Sequence, residues 1–298
     1  MTGSVQASGD DGIRPQRSVF VRRAPLRFAV IAIVVFWSLP SFGLLVSSFR
    51  DARDIATSGW WTILAAPWDL TQWTLANYTR VLEGEGMSQA FVNSVIVTIP
   101  ATIIPITIAA FAAYAFAWMR FPLRGTLFML VVVMLVVPLQ MSLIPVIEIY
   151  RALGINNSFL GVWLAHTAFG LPLAIFLLYN FISQLPGDLF ETASIDGATH
   201  FQMFTKVVLP LSVPALAAFA IFQFLWVWND LLVAITFLGA FEDQSVMTLE
   251  LSRLAGGRGG QWHLLTAAAF ISMLLPILVF LALQRYFVRG ILSGSVKG

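Results

Sequence analysis

The stretch Leu185-Pro-Gly-Asp188-Leu-Phe190-Glu191-Thr192-Ala193-Ser-Ile-Asp196-Gly197-Ala198-Thr199-His-Phe201-Gln-Met-Phe204-Thr-Lys206-Val-Val-Leu209-Pro210 is a polar interruption in an otherwise apolar chain. Its residue order follows helix-end chemistry. Asp188 is placed to cap a helix that has Glu191 at its third position. Gly197 is placed to end that helix in a left-handed turn. Thr199 then starts a second helix, which Pro210 closes. Two short helices meeting at a glycine make a knuckle, and Phe190, Ala193, Phe201 and Phe204 give it an apolar surface that calls for a partner.

Outward from the knuckle, six apolar stretches cover roughly residues 28–49, 90–119, 126–147, 158–182, 212–238 and 264–287. Each approaches or exceeds the ~20 helical residues that cross a bilayer, and helices are the default there because lipid offers backbone groups no partners. Only 11% of residues are charged and 58% are hydrophobic, and the mean hydropathy is +0.84. A water-facing globule needs a charged fraction closer to a quarter. The expectation is an all-α integral membrane protein of six transmembrane helices, with a cytoplasmic tail at 1–26 and a permease domain at 27–298 holding the loop 183–211. Phe28 to Val46 exceeds a signal-peptide core and lacks a clear cleavage site, so it is expected to remain as the first span.

Lys and Arg placement orients the bundle. Arg14, Arg17, Arg22, Arg23, Arg27, Arg120, Arg124, Lys206, Arg285, Arg289 and Lys297 fall on the knuckle's side, and only Arg50, Arg53, Arg80, Arg151, Arg253 and Arg258 on the other. Both termini are therefore expected in the cytoplasm. The external segments would be 50–89, with Trp60, Trp61, Trp68 and Trp73, and the glycine-rich 241–263. Pro40, Pro100, Pro105, Pro138, Pro145, Pro172 and Pro276 fall inside the apolar stretches, where each removes a backbone donor and can kink a helix.

The pattern Glu191-x-Ala193-x-x-Asp196-Gly197-Ala198, followed eleven residues on by Leu209-Pro210, resembles the EAA motif of ABC importer permeases. Thr192 departs from the usual Ala. The stretch 113–122, Asn77-Tyr78, Asn93-Ser94, Trp228-Asn229-Asp230 and the C-terminal tail resemble the carbohydrate branch, in particular the second permease of maltose-type importers. Trp118 stands where that branch often carries a basic residue, and Ser295 where Ala is more usual. The resemblance implies that Glu191, Ala193, Asp196, Gly197, Ala198, Leu209 and Pro210 couple the bundle to a cytoplasmic ATPase. It also implies that Val296, Lys297 and Gly298 touch that ATPase pair. The implied partners are a second permease subunit, two ATPase subunits and an extracellular sugar-binding protein, in a bacterial cytoplasmic (inner) membrane. Within the maltose-type relatives the sugar is held mainly by the other permease, and the loop 241–263 resembles one that helps release it.

Other chemistry is sparse. No cysteine is present, which excludes disulfides and thiolate sites. His166, His200 and His263 have no metal spacing, and no Walker loop or hydrolase elbow occurs. The chain is therefore expected to hold no metal or cofactor and to be no enzyme itself, with ATP and Mg on partner subunits. A formal charge of +2 with scattered basic residues argues against nucleic acid. Gln140 and Ser142 could meet passing sugar hydroxyls or bond to neighbouring helices. Asp230, with Asn229, could serve polar packing or gating, or could reach water at the external end. An ion-coupled secondary transporter is the alternative; it would call for more intramembrane ionisable residues and paired repeats.

Overall fold

The computed structural model describes residues 24–84, 86–256 and 261–295. Among these the regular structure is helical throughout. Helix α1 runs Ala24–Ser48, α2 Ala52–Thr57, α3 Ala76–Gly84, α4 Met87–Trp118, α5 Arg124–Met134, α6 Leu139–Leu153 and α7 Phe159–Ile182. There follow α8 at Gly187–Ile195, α9 at His200–Leu211, α10 at Val213–Trp228, α11 at Leu232–Phe237, α12 at Met247–Gly256 and α13 at Trp262–Ser295.

Four described helices (α1, α4, α7 and α13) are long and apolar enough to cross a membrane unbroken. Two bent pairs supply the rest: α5 and α6 meet at 104°, and α9 and α10 at 72°. The third apolar stretch is thus broken within, and the fifth begins at a sharp bend beside Ser212. Val137 precedes Pro138, which disfavours the helical conformation at Val137, and Pro138 caps the new helix α6 instead of kinking an old one. In the fifth stretch the helix ends at Trp228, and Asp230 starts α11 by accepting from the Val233 and Ala234 amides at 2.8 and 3.0 Å.

The centre of the bundle is the pair α4 and α7. Small buried alanines share the cores around this pair, Ala101 with Ala165 in one and Ala109, Ala110 and Ala113 with Ala174 in the other. Small residues let helix backbones approach closely, which substitutes for the hydrophobic drive that lipid does not provide. Helix α10 packs against α4, α7 and α13. By contrast α1 leans on α13 and on the turn Trp60–Ala65, and nearly all of its side chains face outward.

The segments opposite the knuckle are tied down by backbone-directed hydrogen bonds. Buried Arg50 donates to the Gly59 carbonyl at 2.9 Å and to Ser58 Oγ at 3.0 Å. Asn93 on α4 donates to the carbonyls of Asp243 and Ser245 at 2.9 and 2.8 Å, and Ser94 Oγ accepts from the Met247 amide. The start of the segment 241–256 is therefore held fast, not loose. Replacing Asn93 by leucine leaves two carbonyls without their donor at about 1–3 kcal/mol each. The expected result is faster protease cleavage within 241–247 in membrane vesicles; an unchanged cleavage rate would remove this anchor from the account.

Candidate functional site: the glycine-hinged knuckle

Helix α8 ends in a complete Schellman motif. Gly197 takes φ +75°, its amide donates to the Ser194 carbonyl at 3.0 Å, and the Ala198 amide reaches back to the Ala193 carbonyl at 2.9 Å. These two bonds satisfy carbonyls that a helix end otherwise leaves orphaned. The spacing of Ala193, Gly197 and Ala198 is thus explained by backbone geometry. An ideal Cβ on Gly197 would meet nothing within 4 Å, so the demand for glycine comes from φ and not from crowding.

One sequence expectation changes here. Asp188 does not cap α8: Pro186 occupies the cap position without a side-chain bond, and Asp188 sits in the first turn. Its negative charge still suits the positive helix end. The second helix runs through a π turn at Phe204–Val208 and ends at Leu211, one residue after Pro210, and α10 leaves at 72° beyond Ser212.

Thr199 does cap the second helix. A capping box joins it to Gln202, with Thr199 Oγ1 accepting from the Gln202 amide and Gln202 Oε1 accepting from the Thr199 amide at 2.8 Å. Thr199→Ala is expected to cost about 1 kcal/mol of local stability and to speed amide exchange at Gln202, while Thr199→Ser leaves exchange near the wild-type rate. Equal exchange in the alanine variant would show that the box is idle.

The knuckle is fastened to the end of α4 at two points. Trp118 stacks on Phe190 with centroids 3.7 Å apart and an interplanar angle of 17°, and its indole donates to the Ile182 carbonyl at 3.0 Å. Tyr114 Oη and His200 Nδ1 are hydrogen-bonded at 3.0 Å. Phe204 packs between Phe111, at 4.4 Å, and Tyr114, at 5.6 Å. Between these anchors lies an open cleft of about 580 Å³, lined by Tyr114, Trp118, Phe190, Glu191 and His200 among others. Phe190 and Phe204 are buried, whereas Ile195, Phe201 and Leu209 remain exposed. The apolar face expected from sequence is therefore divided, half anchoring the knuckle and half left outward.

The predicted site residues separate accordingly. Glu191, Ala193, Asp196, Gly197 and Ala198 sit together on and after α8, and Leu209 and Pro210 lie at the far end of α9. Trp118, Tyr114 and His200 complete the site, and the sequence offered no local signal for their pairing. Gln140 is exposed near the start of α6, while Ser142 faces a cavity between α5, α7 and α10. Asn229 is exposed and donates to the Leu225 carbonyl; Asp230 is partly buried, 3.9 Å from His166. Val296, Lys297 and Gly298 lie outside the described residues. Among the described residues no cluster of His, Asp and Glu could hold a metal.

With this geometry in hand, three comparisons place the chain. A family profile described as the inner membrane component of binding-protein-dependent transport systems matches residues 105–293. The chain is 55% identical over 297 residues to an osmoprotective compounds uptake permease protein of Synechocystis sp., covering 100% of both chains. It is 42% identical to an alpha-glucoside transport system permease protein of Rhizobium meliloti, covering 93% of this chain and 99% of the relative. A subunit of a bacterial ABC transporter that imports the acidic polysaccharide alginate shares the fold, with a TM-score of 0.71 at 18% identity over 93% of this chain and 100% of that one.

Proposed function

We infer that this chain, which belongs to the family of binding-protein-dependent transport system inner membrane components, is the membrane-embedded permease of an ABC-type sugar importer. It is a transport component, and the ATP and Mg it depends on are bound by partner subunits. In this proposal α5 with α6 makes one broken span and α10 another, giving six with α1, α4, α7 and α13, and both termini and the knuckle lie in the cytoplasm of a bacterial inner membrane. A second permease, two ATPase subunits and an extracellular sugar-binding protein complete the machine, and Val296, Lys297 and Gly298 touch the ATPase pair.

One observation carries the coupling role. The knuckle is anchored on its inner side, yet it leaves Ile195, Phe201 and Leu209 exposed where a water-facing segment would not waste them. Closure of the ATPases on nucleotide would press on 191–209. The Trp118–Phe190 stack and the Tyr114–His200 bond pass that displacement to α4. The helical path from α9 carries it to α10 across the 72° bend. Because α4 and α10 both pack on α7, the push is delivered to the centre of the bundle, and the bundle alternates its access.

The cargo proposed is an alpha-glucoside or an osmoprotective compound, as the Rhizobium and Synechocystis relatives are named for. The test is purification through a tag on this chain, followed by reconstitution. An ATPase with a Walker motif should co-purify, and uptake should need ATP and the binding protein. Ion-driven uptake by this chain alone would defeat the assignment.

A further inference from the structure

A second cavity, of about 510 Å³, lies between α5, α6, α7 and α10 and is removed from the knuckle. It sits at mid-depth: Gly170 on its wall is 11 residues from Phe159 and 12 from Ile182, the ends of α7 (170 − 159 and 182 − 170). Its size falls in the range of small-ligand sites, about 300–1,000 Å³. Three features of its wall argue for a polar occupant with an apolar face.

The wall includes Met134, Leu135 and Val137, where the third span breaks. There the helical ladder gives way to short bonds from the amides of Leu135, Val136 and Val137 to the carbonyls of Val132, Val133 and Met134. Non-helical backbone at membrane depth persists only where protein buries it or where it lines a wet cavity, and interrupted spans are where transporters build substrate sites. Gln223, 1% exposed, stands on the opposite wall. Its amide nitrogen donates to the Ala101 carbonyl at 3.1 Å, which holds the carboxamide in place. Gly170 makes the room: a Cβ there would come within 2.7 Å of Gln223 Oε1. Ser142 adds a hydroxyl.

Trp226 supplies the apolar face. Its indole lines the cavity and meets buried His166 edge-on, with centroids 5.6 Å apart at 90°. Within the protein neither His166 nitrogen has a hydrogen-bond partner, and Asp230 Oδ2 lies 3.9 Å from its Nε2. A pyranose ring has an apolar face of C–H groups and an equator of hydroxyls. An aromatic ring beside a fixed carboxamide and a hydroxyl matches both, whereas a lipid acyl chain has no use for Gln223 and Ser142.

We propose that this chain contributes a sugar-contact site of its own at the broken third span, taking a neutral glucoside against Trp226 with its hydroxyls toward Gln223 and Ser142. The proposal rests on the sugar-permease function above, and it gives this subunit a share in selecting the cargo. The experiment exploits the absence of cysteine: Ser142→Cys is the single thiol of the chain. In the assembled importer with its binding protein, alkylation of that thiol by a small maleimide is followed by peptide mapping, with trehalose or sucrose as probes. Protection by either glucoside, slowing labelling by about fivefold or more, supports the site. Protection by neither, or equal protection by added phospholipid alone, overturns it. A second measurement uses uptake kinetics. Trp226→Ala should raise KM for the glucoside about tenfold, a loss of about 1.4 kcal/mol, and Trp226→Phe should recover much of it. An unchanged KM in the alanine variant overturns the proposal while ATP-driven uptake leaves the permease function standing; loss of all ATP-dependent uptake in the wild-type complex would instead sink that function.

Discussion

Gly197→Val should abolish most sugar uptake, by about tenfold or more, while the subunit still reaches the membrane. Gly197 holds φ +75°, a conformation that costs an L-residue with a Cβ about 1–2 kcal/mol and costs a β-branched residue most. Nothing crowds the position, so the bundle has no reason to misfold. The damage is confined to the turn: relieving φ breaks the bonds from Gly197 and Ala198 to Ser194 and Ala193 and swings α8 relative to α9. A contact surface displaced by a few ångströms can bind the ATPase and still fail to transmit its closure. Gly197→Asn is the control, because asparagine tolerates the left-handed region, and it should keep most of the uptake. The measurements are uptake in cells and sugar-stimulated ATPase activity of the purified complex. Wild-type values of both in the valine variant would remove the knuckle from the coupling path.

Trp118→Ala should uncouple more severely in one respect: ATP hydrolysis continues, but sugar moved per ATP falls steeply. The substitution removes a ring stacked on Phe190 and the hydrogen bond to Ile182 together. Trp118 is partly buried at the edge of the cleft, so its truncation costs less than the ~3–5 kcal/mol of a fully buried aromatic, and the loss falls on the joint between α8 and α4. Trp118→Phe keeps a stacking ring and loses only the N–H donor, so its deficit should be smaller. Phe190→Ala attacks the same joint from the other side, so the double variant should be little worse than either single one, as expected for one shared contact. Independent, additive losses would mean that the two rings do not act as a unit. The second fastening, Tyr114 to His200, survives in all of these variants and explains why the complex should still assemble.

The same joint shows how far the amino-acid order reaches. Helix ends are local chemistry: the left-handed Gly197, the cap at Thr199 and the capping box with Gln202 involve residues within a few positions of one another. Their partners are written into the immediate sequence, so they could be read from it. Asp188 is not the cap for an equally local reason, because Pro186 supplies the cap conformation one residue before the helix. The apolar stretches were equally legible, since a bilayer imposes its thickness on each separately.

Contacts between helices were not legible in this way. Tyr114 and His200 are 86 residues apart, and Trp118 and Ile182 are 64 apart; nothing in the order of residues says which aromatic meets which. The prolines make the point most directly. Pro40, Pro100, Pro105, Pro145, Pro172 and Pro276 all lie inside continuous helices, and only Pro138 stands at a break. Identical local chemistry has opposite outcomes because neighbouring helices decide whether a lost backbone bond can be tolerated or must open into a turn.

The helical membrane class, the knuckle and its glycine hinge can be read from residue order alone, because they follow from composition and from hydrogen bonds between near neighbours. Packing sets where the third span breaks, how Trp118 and His200 fasten the knuckle, and that Trp226, Gln223 and Ser142 share one cavity. Those outcomes depend on which surfaces pack together, and packing is a property of pairs of helices that no single segment carries.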